Sequence, residues 1–177
     1  MLGAADRAAL LRLARESIAA RLCGAPPPAS AIPEGPLTQP AGAFVTLRLR
    51  GELRGCVGQM AARGPLWRTI AEVAVKSAVE DDRFDPVSAH EVGDLRIDIS
   101  VLSPPRRCAP ADVVPGVHGV EIRSGAKRGV LLPQVSVEWK WNRDQLLDAV
   151  CHKAGLPAGA WKDAELSVFT AEVFGEA

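Results

Sequence analysis

The sequence predicts an α+β fold of mostly antiparallel strands, with two lobes formed by a duplicated hairpin-helix-helix-strand unit and an added N-terminal helix. Two strand-turn-strand patterns, each followed by helical patterns and a closing strand, give the same order of elements twice. This repeat places Arg128-Gly129 over Arg54-Gly55, 74 residues earlier, on the returning strand of each hairpin. The expected segments of this single domain, residues 1–177, are a helix over 5–23, a proline-rich extended stretch over 24–42, a first unit over 43–105 and a second unit over 116–175.

The charge balance and the cysteine pattern limit the classes of function. Lysine and arginine together number 21, as do aspartate and glutamate, so no net charge draws the chain to nucleic acid or to an anionic membrane. No apolar run approaches the length of a membrane span, and charged side chains interrupt the N-terminus where a signal peptide would be apolar. The four cysteines form no Cys-x-x-Cys pair, which is typical of reduced thiols. We therefore expect a soluble, cytoplasmic protein.

The first half of the chain begins with an amphipathic helix and a hairpin. Apolar residues recur at helical spacing at Leu10, Ala14, Ile18 and Leu22. Further along, alternation at Val45, Leu47 and Leu49 predicts a strand with one buried face. Gly51-Glu52 predicts a type II′ turn, because glycine accepts the positive φ of its first central position. The returning strand, Leu53-Arg-Gly-Cys-Val-Gly58, has a cysteine between glycines, which mark a bulge or a close approach by a ligand or another backbone.

The remaining elements are indicated by caps and by periodicity. In the first unit these are a helix from Gly64-Pro65, a short helix with Ser88 and Glu91 as its capping box, and a strand over 95–102. In the second unit they are a hairpin over 118–132, a short helix from Pro133 to about Lys140, a longer helix capped by Asn142 with Gln145, and a last strand from Ser167 to Phe174.

Four segments resemble a known family. They are FVTLRLRGELRGCVGQM at 44–60, DDRFDPVS at 81–88, LRIDISVLSPP at 95–105 and GVLLPQVSVEWKWNRDQLLDAVCHKAGLPAGAW at 129–161. The chain resembles the AMMECR domain family from about residue 5 to residue 175, most specifically in Leu53-Arg-Gly-Cys-Val-Gly58. The resemblance implies a two-lobed α+β fold without an established biochemical role. Bacterial and archaeal members often occur beside, or fused to, MEMO-like proteins and radical S-adenosylmethionine enzymes. This chain has Trp139-Lys140 where the family often has an aromatic-glycine pair.

Cys56 is the main candidate for chemistry. A reactive thiol needs access and a lowered pKa, which a neighbouring cation such as Arg54 can provide. The alternative is a small buried hydrophobic residue between glycines that permit close packing. The sequence does not identify a general base for this thiol. Among the three histidines, His118 is the best candidate partner, because the repeat could bring its hairpin and that of Cys56 together.

Arg54 and Arg128 form a second candidate site. Their equivalent positions could direct both guanidinium groups toward an anionic substrate, since a planar five-donor group matches carboxylate or phosphate. Gly55 and Gly58 would leave room for that substrate to approach. The alternative for the arginines is a salt bridge with a nearby carboxylate, for which Glu52, Asp98 and Glu121 are available. Gln134, at a predicted helix start, could orient a ligand or cap backbone groups.

No metal or cofactor site is indicated. The carboxylates around Arg83 lack the alternating ligands and the glycine of a calcium loop, so Asp81, Asp82 and Asp85 are interpreted as a solvated helix end. The histidines and cysteines have none of the short spacings of zinc sites. The glycine signatures of phosphate loops, dinucleotide folds and hydrolases are missing from the sequence.

These features leave two hypotheses, and the sequence does not decide whether the chain is an enzyme. The first is an accessory or binding component of a modification pathway with a MEMO-like or radical S-adenosylmethionine partner. The lack of an identifiable base, metal or cofactor motif favours it. The second is an enzyme that uses Cys56 and Arg54 in a cleft on an anionic substrate. A small anionic ligand fits either hypothesis.

Overall fold

The computed structural model describes residues 1–28, 35–61 and 63–176. Over these residues it has the expected α+β class, with four helices and two antiparallel sheets. The helices are α1 (Ala4–Leu22), α2 (Leu66–Val79), α3 (Pro133–Glu138) and α4 (Arg143–Lys153). The strands are β1 (Ala43–Leu49), β2 (Glu52–Gln59), β3 (Leu95–Leu102), β4 (Arg106–Arg107), β5 (Gly119–Ser124), β6 (Lys127–Leu131), β7 (Glu165–Phe169) and β8 (Ala171–Gly175).

The chain divides into two units, each with its own core. The first unit comprises Met1–Leu102 and Glu172–Ala177, and the second comprises Ser103–Ala171. Within the described residues, no helix combines the length and the apolarity needed to cross a membrane.

The core of the first unit lies between its sheet and the two long helices. The strand order is β2-β1-β3-β8, and β1 is antiparallel to both β2 and β3. Because side chains alternate across a strand, one face is fully buried, at Val45, Leu47, Ile97 and Ile99. The helices contribute apolar stripes to the same core, at Leu10, Ala14 and Ile18 in α1 and at Ile70 and Ala74 in α2.

The turn between β1 and β2 lies one residue earlier than the sequence predicted. Leu49 pairs with Glu52, so Arg50 and Gly51 are the central residues, with φ of 54° and 88°. Two positive φ values are the mark of a type I′ turn, so the prediction of a type II′ turn at Gly51-Glu52 was wrong. The type I′ turn follows the right-handed twist of paired strands, which accounts for the left-handed conformation of Arg50.

Two predicted elements differ in the structure. The short helix predicted after Ser88 is a single 3-10 turn, Val92–Asp94. The strand predicted from Ser167 to Phe174 is divided into β7 and β8, because Thr170 bonds to Ser103 through both its backbone groups, each at 2.9 Å. β8 joins the first sheet, so the second unit ends at Ala171. In the proline-rich stretch 24–42, residues 29–34 lie outside the described part of the chain.

The second unit has the strand order β4-β7-β5-β6 and a core shared with α4. Its fully buried residues include Val120, Ile122, Leu146, Leu147 and Val150. The predicted caps are present, since Pro133 occupies the first turn of α3, and Asn142 and Gln145 exchange hydrogen bonds of 2.9 and 3.0 Å at the start of α4.

Corresponding strands have corresponding neighbours in the two sheets. The order β2-β1-β3-β8 matches β6-β5-β7-β4 except that the outermost strands are exchanged, because β4 follows β3 in the chain but pairs with β7, and β8 follows β7 but lies beside β3. Gly55 and Gly129, on the two returning strands, each lie against the backbone of a helix. A Cβ on Gly55 would overlap the carbonyl oxygen of Ser77 in α2, and one on Gly129 would lie 2.7 Å from the carbonyl oxygen of Val150 in α4. Each glycine lets a helix backbone approach its hairpin.

Lys140, which follows α3, predicts a stabilising substitution. Its φ is 53°, a left-handed conformation that costs a residue with a Cβ about 1–2 kcal/mol. We expect Lys140→Gly to raise the free energy of unfolding by about 0.5–1 kcal/mol, measured by urea denaturation. Lys140→Ala is the control, because it shortens the side chain and keeps the Cβ. A glycine variant no more stable than the alanine variant would contradict this explanation.

Candidate functional site

The Leu53–Gly58 segment lies on β2, the edge strand of the first sheet, and contains a β-bulge. Leu47 pairs with Gly55, but Arg48 pairs with Leu53, so Arg54 is the extra residue of the bulge. A bulge bends its strand and changes the direction of the side chain it displaces. The direction of Arg54 therefore could not be obtained from simple strand alternation.

The glycines on either side of Cys56 are in contact with the protein itself. The backbone of Ser77 lies against Gly55, and a Cβ on Gly58 would overlap the ring of Phe44. A helix backbone and an aromatic ring thus occupy the space beside these glycines. Ser77 also bonds to the hairpin, because its Oγ accepts the N–H of Val57 at 2.9 Å and lies 2.8 Å from the carbonyl oxygen of Val45.

Cys56 is a free, half-buried thiol opposite Thr46 of β1. Its Sγ lies 3.2 Å from the Oγ1 of Thr46, within hydrogen-bond distance for sulfur. Its backbone N–H points away from β1 and donates to the Oδ2 of Asp81 at 2.8 Å. The position therefore joins strand β2 to the loop that follows α2.

The carboxylate of Asp81 is buried, with 5% of its side chain exposed. Arg83 donates to it through Nε at 2.8 Å and Nη2 at 2.7 Å. The hydrogen bonds from Arg83 hold the pKa of Asp81 well below its usual range, and the N–H of Cys56 acts in the same direction against the effect of burial. The interpretation of Asp81 as part of a solvated helix end was wrong, whereas Asp82 and Asp85 are exposed as expected.

Arg54 is held by the loop of residues 85–91. Its Nε and Nη2 donate to the two carboxylate oxygens of Glu91, at 2.9 and 3.3 Å, and its other donors bond to the carbonyl oxygens of Asp85 and Pro86. Only 16% of its side chain is exposed. The Arg54 guanidinium, helped by the backbone N–H of Ser88, lowers the pKa of Glu91 to about 2. Arg54 thus anchors this loop to β2.

Arg128 belongs to the second unit and bonds to a buried carboxylate there. Its Nε and that of Arg123, which lies opposite it in the hairpin, both donate to Oε1 of Glu121 at 2.6 Å. The Glu121 side chain is 3% exposed, whereas those of Arg128 and Arg123 are 46% and 57% exposed. Each guanidinium has further N–H donors at this partly exposed position.

Gln134 and His118 also lie in the second unit. The Oε1 of Gln134 is buried and has no hydrogen-bond partner among residues 1–28, 35–61 and 63–176. The Nδ1 of His118 accepts the backbone N–H of Val114 at 3.2 Å. Of the candidate residues, the structure therefore groups Arg54, Gly55, Cys56 and Gly58 on one strand, and places Arg128, Gln134 and His118 in the other unit.

Three residues that sequence reasoning did not assign complete the surroundings of Cys56: Thr46, Ser77 and Asp81. The position of Thr46 opposite Cys56 depends on the bulge at Arg54, because a regular ladder from the turn would have paired Cys56 with Val45. The contact with Asp81 depends on the path of the loop after α2, so no pattern in the neighbouring sequence indicates it. In the described part of the chain, no group of three or more His, Cys, Asp or Glu residues is arranged to hold a metal ion.

The pairing of Glu91 with Arg54 predicts a pH-dependent contribution to stability. The folded-state pKa of Glu91 is about 2, below its ordinary 4.5, so the pair stabilises the protein above about pH 4.5 and this contribution is lost as the pH falls toward 2. We expect Glu91→Gln to lower the free energy of unfolding by about 2 kcal/mol at pH 7 and by much less at pH 3, measured with urea. Glu165→Gln, at an exposed pair, should change little at either pH. Equal losses at both pH values for Glu91→Gln would contradict this.

Comparisons with known proteins agree with the fold. The family model AMMECR1 matches residues 11–174. A protein of Methanothermobacter thermautotrophicus is 41% identical over 147 residues, which cover 78% of this chain and 77% of that protein. A protein of Thermococcus gammatolerans is 39% identical over 183 aligned positions, covering 94% and 88% of the two chains. The crystal structure of an uncharacterised protein from Pyrococcus horikoshii has a TM-score of 0.85 and 37% identity, covering 94% of this chain and 89% of that one. The chain therefore belongs to the AMMECR1 family.

Proposed function

We propose that this protein is an accessory or binding component of a modification pathway and that it docks a partner protein through an apolar surface of its second unit. The observation that carries the proposal is the exposure of four large hydrophobic side chains on that unit. They are Val114, Val117, Val137 and Trp139, here called the apolar surface, with exposed fractions of 44%, 53%, 60% and 67%.

The two segments that form the apolar surface pack against each other. The N–H of Gly116, between Val114 and Val117, donates to the Oγ of Ser136 in α3 at 2.7 Å. A Cβ on Gly116 would lie 3.2 Å from the side chain of Val137. The turn that carries Val114 and Val117 is therefore in contact with α3, which carries Val137 and is followed by Trp139.

Trp139 is held in place before any partner binds. Its ring stacks on that of Trp141, with centroids 5.9 Å apart and 17° between the planes. A side chain that is already ordered loses less conformational entropy on binding. Tryptophan residues also dominate the binding energy of many protein interfaces, and clustered exposed apolar groups are typical of interaction sites.

The surroundings of Arg54 and Cys56 on β2 are further support for a binding protein over an enzyme. Arg54 is mostly buried and has carboxylate and carbonyl partners, so its donors are occupied. The hydrogen-bond partner of the Cys56 thiol is a hydroxyl, that of Thr46. A threonine hydroxyl is a poor general base, so this neighbour does not supply the base that a nucleophilic thiol requires.

The family resemblance supplies the partner class. AMMECR-like proteins often occur with MEMO-like proteins and radical S-adenosylmethionine enzymes, so we infer that a protein of one of these classes binds the apolar surface. We place this function in the cytoplasm. All four cysteines are free thiols, which suits a reducing compartment.

An enzyme remains the second candidate, with Cys56 as nucleophile and an anionic substrate. The half-buried thiol favours it, as does Arg83, whose side chain is 55% exposed and whose Nη2 lies 3.4 Å from the carbonyl oxygen of Cys56. Arg128 would hold an anion with Arg123 through their remaining donors. For Arg54, Gly55 and Gly58, a substrate-binding role would require the local contacts described above to rearrange. The buried Oε1 of Gln134 has no partner among residues 1–28, 35–61 and 63–176 and would be available to accept a hydrogen bond from a substrate.

Trp139→Ala tests the docking proposal. We expect the full chain to bind a MEMO-like or radical S-adenosylmethionine protein from the same organism. We expect Trp139→Ala to raise the dissociation constant about 30-fold, because truncating an interface tryptophan typically costs about 2 kcal/mol or more of binding free energy. Isothermal titration calorimetry with each purified partner measures this.

Two control variants separate docking from other causes. Val173→Ser changes a residue of the first unit that is 54% exposed, and it should leave binding unchanged. Cys56→Ala should also bind normally, since the proposal does not use the thiol. Failure of both partner classes to bind, or equal binding by Trp139→Ala and the unaltered chain, would exclude the proposed surface.

A further inference from the structure

A cavity of about 650 Å³ lies beside α1 and α2 in the first unit. Its lining is mainly apolar and includes Ala20, Ala25, Pro27, Trp67, Ala71 and Val75. Trp67, Ala71 and Val75 follow one another at intervals of four residues, so they form one stripe along α2. The small side chains of Ala20 and Ala71 leave space between larger neighbours. Sites for small molecules typically have volumes of roughly 300–1,000 Å³, so this cavity is of suitable size.

Ser17 of α1 also lines the cavity and has an unusual environment. The residue is 5% exposed, and its Oγ has no hydrogen-bond partner among residues 1–28, 35–61 and 63–176. Ser77 of α2 is equally well buried, but its Oγ lies 2.8 Å from the carbonyl oxygens of Val73 and Val45. A buried hydroxyl without a partner is destabilising. A ligand that hydrogen-bonds with Ser17 would supply the missing partner and remove this destabilisation.

The charges at the rim indicate the charge of the ligand. Arg68, Glu72 and Lys76 of α2, and Glu80 directly after it, alternate in sign at intervals of four residues. Their fields largely cancel, because neighbouring opposite charges lie on the same side of the helix. Arg21 adds one exposed cation from α1, where water and salt screen its charge. The rim therefore gives little preference for an anion or a cation.

We propose that this cavity binds a neutral, mainly apolar small molecule, at least as large as one aromatic ring, whose hydroxyl or carbonyl group hydrogen-bonds with Ser17. Trp67 supplies a ring against which a flat ligand can pack. The site belongs to the first unit and does not depend on the docking function of the second.

Three related probes test the proposal. p-Cresol, toluene and p-toluate share a methylphenyl group and differ in carrying a hydroxyl, no polar group or a carboxylate. We expect p-cresol to shift the amide signals of Ser17 and Ala71 in NMR titrations of the full ¹⁵N-labelled chain. We also expect it to bind roughly tenfold more tightly than toluene, the effect of one added hydrogen bond. Ser17→Ala should abolish this difference and leave toluene binding unchanged.

Two further variants make the outcome specific to the cavity. Ala71→Leu fills the space and should weaken both p-cresol and toluene. Ser100→Ala changes another buried serine of the first unit, outside the cavity lining, and should keep the tenfold difference. Circular dichroism checks that each variant is folded. Shifts confined to other parts of the chain, equal binding of p-cresol and toluene to the unaltered protein, or tightest binding by p-toluate would each overturn the proposal.

Discussion

The close approach of α2 to β2 at Gly55 is the constraint on which the first unit depends. With no Cβ in the way, the backbone of Ser77 lies against the strand. The hydroxyl of Ser77 then reaches Val57 in β2 and Val45 in β1, so one side chain joins the helix to both strands of the hairpin. The same approach brings the loop after α2 to the edge of the sheet, where Asp81 meets the backbone N–H of Cys56.

Carboxylates with arginine partners then fix the loops. Asp81 bonds to the edge strand and to Arg83, while Glu91 receives Arg54 from the same strand. An exposed edge strand offers unpaired backbone groups to other chains, and these loops cover part of that edge. Arg54, the charged residue of the Leu53–Gly58 segment, thus serves the architecture of the first unit. This leaves the apolar surface of the second unit and the cavity beside α1 and α2 as the places where binding is best supported by geometry.

Periodicity and caps predicted most of the fold, because they act within a few residues of the chain. The buried stripe of α1, the alternation of β1 and the Asn142 cap are of this kind. Predictions that depended on distant contacts did less well. The division of the last strand depends on hydrogen bonds exchanged between Ser103 and Thr170, and the partner of Arg54 depends on a bulge that strand alternation does not reveal. At the candidate site, the sequence identified the correct strand but not the loop that meets it.

The glycine before Cys56 allows the backbone of α2 to pack directly against β2. Gly55→Ala, followed by thermal and urea denaturation of the full chain, tests this claim most directly, with Gly93→Ala as the control because the described residues leave open space there. We predict that Gly55→Ala lowers the free energy of unfolding by about 3 kcal/mol or prevents folding, since an added methyl group would meet rigid backbone. Gly93→Ala should change stability by less than about 1 kcal/mol. Equal stability of the two variants would contradict the claim.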